Sequence, residues 1–107
     1  MDSDTARRLY RQIEATKLVE LKKELLTFAV RYARLRTDWQ LADVDERKGM
    51  DSHRTATHDA LIDACNVLSR NMAKAGEDAS WRATMSDRKE IGDFACYIHC
   101  LIGLAAR

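Results

Sequence analysis

Seven large apolar residues, Leu18, Leu21, Leu25, Phe28, Tyr32, Leu35 and Trp39, recur at alternating spacings of three and four, with charged residues set between them. Such a spacing repeats the exposure of one face of an α-helix and prescribes helix packing along a continuous seam. The chain has Pro 0 and Gly 4, so few of the residues that interrupt helices are present to oppose this. An all-α fold follows.

The pattern around the seam predicts one helix over about 4–42, capped by Asp4 or Ser3, which at 1.5 Å per residue reaches roughly 55 Å. The polar stretch Asp43–Asp51 with Gly49 inside it predicts a connection. Asp51 or Ser52 then opens a second helix, about 52–75, with the apolar stripe Leu61, Ala64, Cys65, Leu68 and Met72 and a stop at Gly76. A short helical turn is expected near Trp81. Asp87 with Glu90 has capping-box spacing and opens a third helix, about 87–106. That helix carries Ile91, Phe94, Ile98, Leu101 and Ile102 on one side and Gly92, Cys96, His99 and Gly103 on another, and contact on more than one side makes it the expected central helix of the bundle. The 107 residues therefore read as a single domain, 1–107, a bundle of three main helices with an elongated N-terminal helix. The first helix is too long for the other two to cover, and its surplus seam asks for a second copy or another helical protein.

Charge bounds the partners. The net charge is +1, too small for a protein that coats an anionic membrane or nucleic acid. It is unevenly spread: residues 1–36 hold nine Lys and Arg against five Asp and Glu, giving +4, and residues 37–107 hold nine against twelve, giving −3. A basic helix against two acidic ones accounts for this, with nucleic acid at Arg7, Arg8 and Arg11 the less favoured use. The longest apolar run, Ile91–Ala106, falls short of the about 20 residues that span a bilayer and contains Asp93 and His99, so no membrane partner is expected. The odd set Cys65, Cys96 and Cys100, with no leader-like opening, fits a reducing cytoplasm.

Four polar constellations carry possible chemistry. Asp59, Asp63 and Asn66 share an arc of the second helix with Arg70. Two carboxylates and an amide oxygen can hold Mg²⁺ or Mn²⁺, with Arg70 on a phosphate, although a solvated helix face has the same composition. Arg54 and His58, one turn apart near the edge of the apolar stripe, suit a phosphodiester, the imidazole as acid or base and the guanidinium on the phosphate charge. Arg47 and His53 have a spacing seen in one helical nuclease family, without its surrounding pattern. Cys96, His99 and Cys100 could hold zinc with Cys65, though buried thiols usually serve as core. Asp93, the single acid in an apolar stretch, needs partners such as Lys89 and Tyr97 and could complete a catalytic set with Arg54 and His58. No cofactor is expected.

The residues Arg54, His58, Ala60-Leu61-Ile62-Asp63, Asn66, Leu68 and Arg70, followed by Trp81, Asp87-Arg88-Lys89 and Ile91-Gly92-Asp93-Phe94-Ala95, resemble a small bacterial domain family of unknown function. The resemblance covers the C-terminal half and implies a helical bacterial protein; it implies no activity. The reading favoured by the residues is a non-enzymatic interaction module that self-associates as a homodimer through the first helix. The alternative is a phosphate-handling protein, a nuclease or nucleotide binder, using Arg54, His58, Asp59, Asp63 and Arg70.

Overall fold

The helix expected over 4–42 is interrupted once. In the structure, a computed structural model that describes residues 1–105, it forms α1 (Ser3–Glu14) and α2 (Val19–Leu41). The remaining helices are α3 (Val44–Lys74), the four-residue α4 (Trp81–Thr84) and α5 (Arg88–Ala105), and no strand occurs among the described residues. The fold is an all-α bundle. The end expected at 106 for the last helix lies outside the described residues.

The break between α1 and α2 is held from a distance. The N-cap position of α2, Leu18, has no side chain able to accept a hydrogen bond. Glu77, beyond the end of α3, instead holds the residues just before the helix: one carboxylate oxygen accepts the Thr16 hydroxyl and the other accepts the Lys17 backbone N–H at 2.9 Å. Thr16 Oγ1 in turn accepts the Leu18 N–H at 3.2 Å. A carboxylate beside exposed backbone donors at a helix start is electrostatically favourable, so the chain stops one helix and begins another where Glu77 stands. At the opposite end of α1 the cap is Asp2, which accepts the Thr5 N–H at 2.7 Å, in place of the expected Asp4 or Ser3.

The longest helix is α3, not the N-terminal one. The segment expected as a connection, 43–51, is helical because Asp43 and Glu46 form a reciprocal capping box, with Asp43 Oδ1 accepting the Glu46 N–H at 2.9 Å. Asp43 therefore replaces Asp51 and Ser52 as the cap, and Gly49 sits on an open helical surface. Thirty-one residues at 1.5 Å each span about 46 Å, close to the 47 Å long axis of the molecule. At the other end Gly76, with φ +77°, lets Gly76 and Glu77 donate back to Ala73 and Met72, the paired bonds of a Schellman stop.

A tight turn folds α3 back along α2, and α2 also packs along α5, so the central helix is α2 rather than the last helix. Leu25 and Tyr32 of the seam, with Ala29 between them, are buried in this chain's own core, beside Leu61, Cys65 and Leu68 of α3 and Ile91, Phe94 and Ile98 of α5. Leu18, Leu21 and Phe28 are half-buried against it. α1 lays Ala6, Leu9 and Ile13 over α5 and α4, where the fully buried Trp81 closes the core with Nε1 3.4 Å from Met72 Sδ. Arg7, Arg8 and Arg11 are exposed. Among the described residues no helix is long and apolar enough to cross a membrane.

The Glu77 contact has a pH signature. Hydrogen bonds from Thr16 and the Lys17 backbone hold its carboxyl below the ordinary 4.5. A depressed folded value means the stabilisation is complete above 4.5 and is lost as pH falls through the folded value. Glu77→Gln is expected to lower the Tm at neutral pH, with the gap to wild type closing as pH drops below 4.5. An equal Tm at neutral pH would show that the α1–α2 break is set by other groups.

Candidate functional site, a cationic pocket between α2, α3 and α5

The segment after α3 runs back along it. Arg82 Nε donates to Asn66 Oδ1 at 2.8 Å, and Arg88 reaches Asp59 at 2.8 Å, so α5 begins beside the middle of α3 instead of at its end. That return brings the first residues of α5 to Arg54 and His58. The three helices enclose a cavity of about 310 Å³ lined by Tyr32 and Arg36 from α2, Arg54, Thr55 and His58 from α3, and Arg88 and Lys89 from α5.

His58 forms the inner wall. It is 7% exposed, its ring stacks on Tyr32 with centroids 4.6 Å apart, and Nε2 lies 3.0 Å from the Arg88 carbonyl oxygen. A carbonyl only accepts, so Nε2 carries the hydrogen and Nδ1 is the bare nitrogen of a neutral ring. Burial pushes the imidazole below its ordinary 6.5, and the Arg88 and Arg54 charges push the same way, outweighing the Arg88 carbonyl and Asp59.

Arg54 is placed by an aromatic residue of the seam. Its guanidinium carbon lies 4.5 Å from the centre of the Trp39 ring, and Arg47, two turns earlier on α3, lies 4.1 Å from the same ring. Arg47 also donates to the carbonyls of Trp39 and Gln40, closing the C-terminus of α2, so Trp39 is engaged within the chain. The Arg54 Nε is buried and has no hydrogen-bond partner. Buried donors without partners are uncommon, and each asks what group it serves.

Asp93 stands behind the pocket. One oxygen accepts Arg36 Nη1 at 2.8 Å and the other accepts Lys89 Nζ at 2.9 Å. Burial raises its carboxyl, but these two bonds outweigh that and hold it below the usual carboxylate value. The structure thus brings Arg54 and His58 together directly and joins Asp93 to them through two cations. The partner Lys89 is legible from the i, i+4 spacing; Tyr97 instead donates to the Met1 carbonyl. Arg36 and Arg88 are the residues sequence reasoning passed over, since neither spacing nor composition marks which arginine of a basic helix meets a carboxylate 57 residues away.

The other constellations disperse. Asp59 is paired with Arg88 and Asn66 with Arg82, while Asp63 and Arg70 are exposed. Cys65 is fully buried, its thiol pushed up to about 12 by burial, and Cys96 accepts from Arg36 at 3.8 Å. No group of three His, Cys, Asp or Glu able to hold a metal ion occurs among the described residues. His53 is exposed, away from the pocket that Arg54 and His58 share. No family model, curated protein or solved structure matches the chain.

Tyr32 depends on the glycine opposite. A Cβ on Gly92 would lie 3.0 Å from Tyr32 Cε1 and 3.2 Å from its hydroxyl oxygen, so the ring would have to give by a few tenths of an ångström. Gly92→Ala must displace the ring that supports His58. The expected result is a small net change in stability, since a crowding cost of about 1–3 kcal/mol is offset by the roughly 1 kcal/mol that Ala gains over Gly within a helix, together with shifted imidazole resonances of His58 in NMR spectra. Unmoved imidazole resonances would show that the pocket wall does not rely on this contact.

Proposed function

We propose that the protein is a non-enzymatic binding module whose pocket takes the phosphate group of a phosphate monoester. The observation that carries this reading is the buried, unpartnered Nε–H of Arg54 in a residue lining a cavity with three other cations. Arg36, Arg54, Arg88 and Lys89 contribute four positive charges. Asp93 and Asp59, the carboxylates bonded to them, offset two. With His58 neutral, the surplus of two matches the dianion of a phosphate monoester better than the single charge of a diester. The Thr55 hydroxyl adds an uncharged donor at the rim.

Binding fits the site better than hydrolysis. The pocket's carboxylates are held by cations, and His58 commits one ring nitrogen to a backbone carbonyl, which leaves only Nδ1 to move a proton. This reading keeps Arg54 and His58 from the phosphate-handling alternative and gives them Arg36, Arg88 and Lys89 as companions in place of Asp63 and Arg70.

Phenyl phosphate is a suitable probe, followed by calorimetry at low ionic strength. Saturable binding is expected, weakened at least about tenfold by Arg54→Gln through loss of charge-assisted hydrogen bonds. It should weaken as salt rises, because Arg88 and Lys89 face solvent. Methyl phenyl phosphate, a monoanionic diester, should bind less tightly. Absence of saturable binding, or binding indifferent to Arg54→Gln and Lys89→Gln together, overturns the proposal.

A further inference from the structure

The seam divides between two sides of α2. Leu25 and Tyr32 enter the core, whereas Leu21, Phe28 and Leu35, seven residues apart, line an open groove between α2 and α3. The facing wall is Ala56, Ala60 and Ala64, four residues apart on α3. Large side chains on one rail opposite methyl groups on the other give a surface of knobs and shallow holes, the form that lets another helix approach closely. The groove has two connected parts, of about 450 and 350 Å³, which share Phe28 and Ala60.

Charge decides what fits there. The part beyond Phe28 toward the α2–α3 turn is lined by Arg31 and Arg34, with Asp38 and His53 beside them. The part on the other side of Phe28 is lined by Glu24 and Asp63. Arg31, Arg34, Glu24 and Asp63 are all exposed, and none takes part in an ion pair among the described residues. Positive and negative ends thus lie to either side of a common centre. Rotation by 180° about that centre sets the basic end of one molecule on the acidic end of another, the self-complementarity that a two-fold interface requires. A helical hairpin joined to its own copy in this way makes a four-helix bundle.

We infer that the α2–α3 groove is the docking face for a second copy of this chain, related by a two-fold axis passing near Phe28 and Ala60. The pairing sets Arg31 and Arg34 against Glu24 and Asp63 of the copy at both ends and buries Leu21, Phe28 and Leu35 between the two hairpins. It stands independently of the phosphate-binding reading, which concerns Arg36, Arg54 and His58.

Sedimentation equilibrium from low-micromolar to millimolar protein tests it with two charge-reversed variants, Arg31→Glu/Arg34→Glu and Glu24→Arg/Asp63→Arg. Wild type should dimerise, and each variant alone should dissociate at least tenfold more readily, since like charges then meet at both ends. An equimolar mixture of the two variants should recover the wild-type affinity, because every introduced charge meets its opposite. A wild type that is monomeric throughout the range overturns the inference, as would be expected if the groove serves a different helical protein. A dimer indifferent to both reversals places the interface elsewhere and overturns it too. Should either variant fail to fold, NMR spectra of wild type on dilution decide: shifts centred on the Phe28 ring and the Ala60 methyl support the face, and shifts confined to other surfaces reject it.

Discussion

Tyr32 lies between α3 and α5 at the level of the pocket. Its edge rests on the bare backbone of Gly92 in α5, and its face stacks on the His58 imidazole of α3. α3 and α5 meet directly where Arg88 touches His58 and Asp59, and the phenol ring of α2 supports that junction from beneath. Because Gly92 has no side chain, α5 comes close enough for its first turn to deliver the Arg88 carbonyl to His58 and Lys89 to the rim. The pocket is a consequence of this spacing: three helices meet around a ring that fills the base and leaves the opening to cations.

Long-range contacts account for most of what the sequence could not disclose. The seam identifies α2 as the principal packing helix, yet a spacing of three and four on a helix of 3.6 residues per turn marks a broad stripe without saying which flank is covered. The core took Leu25 and Tyr32, α3 took Trp39 through two arginines, and Leu21, Phe28 and Leu35 stayed half-open. The break at 15–18 depends on Glu77, sixty residues away, so no local pattern could reveal it. The start of α3 differs in kind. Asp43 and Glu46 have the spacing of a capping box in the sequence itself, and the glycine and the charges that follow masked it. Arg54 and His58 were legible as a pair because their spacing sets them on one edge of a helix, and Asp93 because a lone acid among apolar residues requires partners.

The uneven charge of the chain is resolved only in part by pairing. Of the three ion pairs among the described residues, only Arg36–Asp93 links the basic first third to the acidic remainder; the other two lie within the later segment. Arg7, Arg8 and Arg11 remain in solvent. Attraction between the two segments is therefore not what aligns the helices, and burial of Leu9, Leu25, Leu68, Phe94 and Ile98 supplies the driving force instead.

What the charges do instead is local. Arg36, Arg54, Arg88 and Lys89 would repel one another around a cavity this small, and the fold keeps them there by assigning each a different support. Asp93 divides its two oxygens between Arg36 and Lys89, Asp59 holds Arg88, and the Trp39 ring holds Arg54 without neutralising it. Arg54 is thus the one cation of the four with an aromatic neighbour in place of a carboxylate, and it is the one whose Nε–H is left unanswered. Arg36 and Arg54 are held by packing and pairing, whereas Arg88 and Lys89 at the rim remain largely in solvent. His58, neutral and held by Tyr32 and the Arg88 carbonyl, keeps the inner wall from adding a fifth charge to that cluster.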